Sequence, residues 1–238
     1  MNREWHGKIS VLALMGLLAG CGQAEQSPEV EATAAAEPDT APATEMTDTP
    51  AMPEGLEISG RFADMFVAEV TDDFNPGLAV GDEFPPIRAL YNGEEITSID
   101  DFIGENGAIF IAVRSVDWCP YCRRQLAQLQ GIADDFEAAG IGMISITYDS
   151  PELQQMFIEL ASLGYPLVSD VDAESVKALG ILNDEYAPGD ENYGIPYPGI
   201  FVINPDKQIV GKIFVERYQI RVDAPTTLAY AKELLGAD

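Results

Sequence analysis

Histidine, cysteine and basic side chains are scarce in this chain of 238 residues, and each scarcity excludes something. The one histidine is His6 and the cysteines are Cys21, Cys119 and Cys122. A four-ligand zinc site cannot be assembled around Cys119 and Cys122, because the other candidates stand near the N-terminus. Lys and Arg together number 13 against 40 Asp and Glu, a formal charge of −27. Phosphate binding needs basic patches, so nucleic acid is not an expected partner. Such an acidic surface is also repelled by an anionic bilayer, so a hold on a membrane has to come from a lipid. No apolar run reaches the roughly 20 residues that span a bilayer. Haem, phosphate-loop and nicotinamide motifs are missing too, and no metal or other cofactor is expected. There is no internal repeat.

The first twenty residues carry Arg3 and Lys8, then the apolar run Ile9 to Leu18. This is the layout of an export signal over residues 1–20. Leu18-Ala19-Gly20-Cys21 resembles a bacterial lipobox, which implies that Cys21 is diacylated and becomes the mature N-terminus; the other reading is an ordinary signal with Cys21 incidental. Gly22 stands where such signals carry an aspartate for inner-membrane retention, so the resemblance implies an outer-membrane anchor facing the periplasm. Residues 21–54 follow as a tether: from Gln23 to Glu54 there is no aromatic and no basic residue. Such a segment cannot bury enough apolar surface to offset its ordering entropy, and its acids repel one another. Residues 55–76 add Phe62, Phe66 and Phe74 and are expected to pack on the domain, with a helix around Phe62 to Val70.

From Gly77 to the C-terminus the pattern is legible. A short strand near Arg88 to Tyr91 turns at Asn92-Gly93 into Glu95-Ile96-Thr97, an N-terminal β-hairpin. Ser98 caps a brief helix through Phe102. Ile109 to Val113 reads as a strand buried on both faces. A helix is expected from Cys119 to Ala139, ended by Gly140, with Leu126, Leu129, Ile132, Ala133 and Phe136 at helical spacing. Further expectations are a strand over Ile141 to Thr147, a helix opened by Ser150-Pro151 and running to Leu163, a strand Leu167 to Ser169 and a short helix Ala173 to Leu179. A hairpin of Phe201 to Asn204 and Gln208 to Val215, then a helix from Pro225 to Leu235, close the chain.

The chemistry concentrates in Arg114-Ser115-Val116-Asp117-Trp118-Cys119-Pro120-Tyr121-Cys122-Arg123-Arg124. A strand that feeds a helix here puts Cys119 at the helix N-terminus, where unpaired N–H groups and the helix dipole favour a thiolate. Cys122, one turn on, can attack a mixed disulfide formed on Cys119. Cys119 is thus the expected nucleophile and Cys122 the resolving thiol. A structural disulfide is disfavoured, since so small a loop removes little unfolded-state entropy. Arg114, Arg123 and Arg124 cluster around the pair and either depress a thiol pKa or steer an anionic substrate; a solvated helix face explains Arg123 and Arg124 equally well.

On Trp118-Cys119-Pro120-Tyr121-Cys122 followed by Gln125-Leu126, residues 77–215 resemble the thioredoxin-fold redoxins of the alkyl hydroperoxide reductase and thiol-specific antioxidant (AhpC/TSA) group. The implied fold class is α/β, a thioredoxin-like central mixed sheet flanked by helices, over residues 77–238. The resemblance further implies that Tyr197-Pro198 is a cis bond facing the cysteines, with the Tyr197 backbone able to pair with a bound substrate. It also marks two departures. Peroxiredoxins carry a threonine or serine three positions before the reactive cysteine and a proline seven before; here stand Val116 and Ala112. Where many of them carry an arginine, this chain has Pro198.

The function expected from these residues is thiol–disulfide oxidoreductase chemistry in the cell envelope. The substrate is a protein or small-molecule disulfide, or less efficiently a hydroperoxide, and an external thiol reductant regenerates the pair. Pro-Tyr between the cysteines is also the glutaredoxin dipeptide, which implies a potential of about −200 to −230 mV. A peroxiredoxin-like antioxidant enzyme is the alternative. A Cu(I) chaperone on the same fold is a third reading, resting on soft thiolates without a ligand histidine in the domain.

Overall fold

The computed structural model describes residues 52–70, 73–170 and 172–238. The export signal, Cys21 and all of the tether but residues 52–54 lie outside the described residues.

Residues 52–70 do not form the helix expected around Phe62 to Val70. They make one 3-10 turn, Gly60–Phe62, and a short strand β1, Phe66–Val67. The segment had no clean period of its own, and its conformation is set by what it lies against. Its own Leu56, Phe62 and Met65 are buried. Each such side chain contributes about 1.5 to 3 kcal/mol when fully buried.

The hairpin follows as β2, Ala89–Tyr91, and β3, Glu94–Ile96. Asn92 and Gly93 both take positive φ, 50° and 81°, the twist that a two-residue turn between right-twisted strands demands. A 3-10 turn, Asp100–Phe102, stands where the brief capped helix was expected. It leads to β4, Gly107–Ala112, which is buried on both faces.

The single helix expected from Cys119 to Ala139 is two: α1, Pro120–Gln130, and α2, Ala133–Ala138. Gly131 ends the first, its N–H shared between the carbonyls of Ala127 and Gln128; Ile132 donates to the Leu129 carbonyl and leaves helical geometry at φ −128°. The apolar side chains Leu126, Leu129, Ile132 and Phe136 face the same core across the break, so their spacing conceals it.

Next come β5, Ile141–Thr147, α3, Pro151–Ala161, β6, Leu167–Ser169, and α4, Glu174–Ala178. The chain closes with β7, Gly199–Ile203, β8, Ile209–Phe214, the two-residue β9, Arg221–Val222, and α5, Ala224–Leu235.

Seven strands form one sheet in the order β3-β2-β6-β5-β4-β7-β8. The pairs β4–β5 and β5–β6 are parallel and the other pairs antiparallel, so the sheet is mixed as expected. Alternate residues of β4 serve two cores. Ile109 and Ile111 pack with Leu126 and Leu129 of α1, Phe157 of α3 and Ala231 of α5. Phe110 and Ala112 pack on the opposite face with Ile144, Ile146 and Phe201 and with Val176 of α4. A strand covered on both faces reads as an unbroken apolar run for this reason. Gly199 is fixed by sterics: a Cβ there would lie 2.2 Å from the Phe214 ring. Apart from this sheet, β1 pairs in parallel with β9 and ties the 52–70 segment to the chain just before α5.

Candidate active site

The loop between β4 and α1 is folded around one hydroxyl and one buried carboxylate. Ser115 donates its hydroxyl to Asp149 (2.8 Å) and its oxygen accepts the N–H groups of Asp117 (3.0 Å) and Trp118 (3.2 Å). The second Asp149 oxygen accepts the Val116 N–H at 2.6 Å. Burial pushes the Asp149 carboxyl up, while the Val116 N–H and the Ser115 hydroxyl draw it down. Ser115 stands one position before Val116, the place where peroxiredoxins carry their hydroxyl. It holds the loop instead.

That loop delivers Cys119 to the N-cap of α1, with Pro120 in the first turn. Its sulfur accepts the N–H of Cys122 at 3.3 Å. Both sulfurs are buried, at 1 % and 0 % exposure.

A third group meets them that the sequence reading missed. Arg221, in β9, points a guanidinium nitrogen at the Cys122 sulfur, 3.7 Å away. The same guanidinium is held by Gln125 Oε1 (2.7 Å), the Ile220 carbonyl (2.8 Å) and the Tyr218 carbonyl. Its backbone N–H is bonded to Met65 in the 52–70 segment, so that segment helps to place it. The only trace in the sequence is a lone arginine between Ile220 and Val222.

This arrangement reverses the expected order of the thiol pKa values. Burial raises the Cys122 thiol, but the hydrogen bond from Cys119, the charge of Arg221 and the N–H groups of Ser115 and Arg114 outweigh it and bring it down to about 6. Cys119 is pushed up, first because it is the donor to Cys122 and then by burial and the Cys122 charge. The helix N-terminus does supply an N–H to Cys119; a whole buried cation facing Cys122 is the stronger field. The guanidinium thus favours negative charge of the reduced pair at Cys122, the sulfur it faces.

The supporting residues divide. Tyr121 meets Phe62 and Tyr218 in edge-to-face contacts, at 5.3 and 6.1 Å between ring centroids. Trp118 is 41 % exposed and donates its indole N–H to the Tyr148 hydroxyl at 2.9 Å. Arg124 is not on a solvated face: it donates to the carbonyls of Glu57 (3.0 Å), Pro120 (3.1 Å) and Gly55 (3.2 Å) and covers the Phe62 ring.

The expected cis bond at Tyr197-Pro198 is not formed, for the described residues contain no cis peptide. The trans form is the default for an X-Pro bond. Tyr197 moreover donates its N–H to the Ile181 carbonyl at 2.7 Å and its hydroxyl to Asp184, so its N–H is already engaged. Pro198 does lie at the correct end of the sheet, since Gly199 pairs with Ala112 directly before the active-site loop. Among the described residues no three His, Cys, Asp or Glu side chains converge on a metal position; the soft donors that meet are the two sulfurs.

Comparison with known proteins agrees with this frame. A 1-Cys peroxiredoxin B of Oryza sativa subsp. indica is 25 % identical over 143 residues, 56 % of this chain and 63 % of its own length. The chain thus spans less than two thirds of the plant relatives it matches. A candidate peroxiredoxin, bcp, of Haemophilus influenzae is 26 % identical over 164 residues, 67 % of this chain and 99 % of that protein. Among solved structures, Mycobacterium bovis AhpC superposes with a TM-score of 0.56 at 21 % identity, covering 67 % of this chain and 94 % of its own. Reduced Prx3 of Vibrio vulnificus in complex with hydrogen peroxide gives 0.55 at 19 % identity, covering 65 % and 99 %. The AhpC/TSA family model matches residues 80–212, more than half of the sequence and the part that holds both cysteines, and the chain belongs to the AhpC/TSA family.

Proposed function

We propose that the chain is a thiol-dependent oxidoreductase that cycles Cys119 and Cys122 between dithiol and disulfide, with a disulfide as its faster substrate and a hydroperoxide as its slower one. The observation that carries this is the pair itself: two buried sulfurs in the first turn of α1, Cys119 at the N-cap accepting the Cys122 N–H and Cys122 facing a buried guanidinium. With a disulfide, Cys119 passes its proton to the Cys122 thiolate and attacks one substrate sulfur. The other sulfur leaves as a thiol, taking that proton back. Cys122 then displaces the second substrate thiolate and closes the Cys119–Cys122 disulfide. Two electrons pass to the substrate, and an external thiol must return them. With a hydroperoxide the same attack breaks the O–O bond, the alkoxide takes the proton, and Cys122 displaces hydroxide from the sulfenic acid on Cys119. Both sulfurs lie below the surface, so neighbouring side chains must move to admit a substrate.

The disulfide ranks first because Val116 and Pro198 offer no donor to the peroxide oxygens in the transition state, and such donors are a large term in catalysis. A peroxidase role is the second reading, favoured by the names of the relatives and by the Arg221 guanidinium. Stopped-flow mixing of the reduced protein with hydrogen peroxide and with a protein disulfide separates the two. Disulfide exchange is expected to be faster by about ten-fold or more, the value of one lost charged hydrogen bond. A faster reaction with peroxide reverses the ranking, and no Cys119–Cys122 disulfide with either reagent overturns the redox reading.

The lipobox-like Leu18-Ala19-Gly20-Cys21 supports placement in the cell envelope, with a lipid on Cys21 and the acidic tether spacing the domain from the membrane. Substituting Cys21→Ser is expected to move the protein from the membrane to the soluble fraction with the domain's circular dichroism unchanged. Equal membrane retention of both forms excludes the anchor.

A further inference from the structure

Among the described residues, the buried side-chain nitrogen and oxygen atoms without a hydrogen-bond partner are Arg114 Nε and Arg123 Nε. Both belong to arginines flanking the cysteine pair. Arg114 is the more enclosed, at 8 % exposure. Its guanidinium carbon lies 4.2 Å from the ring centre of Tyr218 and 5.1 Å from that of Trp118, and Nη2 donates to the Tyr186 hydroxyl at 3.2 Å. The two rings are 40 % and 41 % exposed, so the walls of this cage face solvent although the cation inside does not.

Three features make it a recognition site. A buried cationic N–H without an acceptor is costly to maintain, and a planar anion is the group that satisfies it. The flanking rings are π-faces that accept a flat apolar body. The position adjoins the chemistry: Trp118, one wall of the cage, directly precedes Cys119, and the ring of Tyr218, the other wall, meets that of Tyr121, which stands between the cysteines. In a chain of charge −27 this is a local cation beside the reacting atoms, able to select anionic substrates from neutral ones.

We propose that Arg114, caged by Trp118 and Tyr218, binds a carboxylate that the substrate carries on an aromatic or apolar body next to its reacting bond. The assignment of substrate class rests on the redox reading of Cys119 and Cys122; the anion site itself does not.

The reduced protein is mixed with dithiobis(nitrobenzoate), an aromatic disulfide bearing carboxylates, and with dithiodipyridine, a neutral one, each rate being divided by that of dithiothreitol with the same reagent. The wild type is expected to favour the carboxylated disulfide by about ten-fold or more, the worth of a hydrogen bond to a charged group. Arg114→Gln should bring that ratio close to one, and Arg114→Lys should keep part of it. The ratio cancels any effect of the substitutions on thiol reactivity in general. Independently, benzoate should change Trp118 fluorescence saturably in the wild type and not in Arg114→Gln, with the neutral isostere benzamide inert in both. A wild-type ratio near one together with benzoate binding no better than benzamide overturns the proposal. If neither disulfide reacts, the redox reading has failed, and the benzoate titration alone decides the anion site.

Discussion

Arg221→Gln should slow alkylation of the reduced pair at pH 7 by on the order of ten- to thirty-fold and move its pH profile upward. The guanidinium lies 3.7 Å from the Cys122 sulfur and is among the groups that bring that thiol down to about 6. Without it, burial is no longer outweighed, and the first ionisation of the pair returns toward the ordinary thiol value of about 8.5. A rise of the pKa from about 6 to about 8.5 lowers the thiolate fraction at pH 7 by about thirty-fold, partly offset because a more basic thiolate is the better nucleophile. The sign follows from the charge. The reactive anion exists above its pKa, so wild-type reactivity should fall as pH drops through about 6, and the variant's should fall through a higher value. Above pH ~9 the two should converge, or the variant react faster. Glutamine keeps a donor for neighbouring oxygens, so a loss of folding alone would lower the rate at every pH without shifting the midpoint. An unshifted profile would falsify the electrostatic role. Iodoacetamide alkylation followed by mass spectrometry reads the midpoint directly.

Arg221 is also the clearest measure of what the sequence could and could not show. The sheet was legible because its central strands are covered on both faces: Ile109 to Val113 and Ile141 to Thr147 leave little room for another reading. Asn92-Gly93 marked its hairpin through local turn chemistry. Arg221 lies 99 positions from Cys122, and only the pairing of β9 with β1 brings it there. No local pattern encodes that contact. The same holds for the 52–70 segment, whose fold follows from the surface it covers, and for Arg124, which is buried by the Gly55 and Glu57 carbonyls of that segment. The expectation at Tyr197-Pro198 erred differently: it carried over a family conformation to a position where this chain commits the Tyr197 N–H to Ile181. Gly131 was visible as a residue but silent as a helix end, because the core-facing period continues through it.

Removing either sulfur should abolish multiple turnover, by on the order of a thousand-fold or more, and the two losses should look different. Cys122→Ser removes the thiolate that accepts the Cys119 proton and the group that closes the disulfide. Cys119 should still attack at pH values high enough to ionise it unaided, and the mixed disulfide should then persist for want of a resolving thiol. Cys119→Ser leaves Cys122 with its Arg221 partner but fully enclosed, inside the first turn of α1 and not at its N-cap. It should be charged and yet trap little substrate, because low pKa without access gives no reaction. The charge and the attack thus sit on different residues in this reading: Cys122 holds the anion, and Cys119, next to the exposed Trp118, makes the bond. Mass spectrometry of the adducts formed by the two variants with a protein disulfide is the measurement. Adducts on Cys122 of Cys119→Ser, with none on Cys119 of Cys122→Ser, would assign both roles to the residue that carries the charge and make Cys119 the resolving thiol.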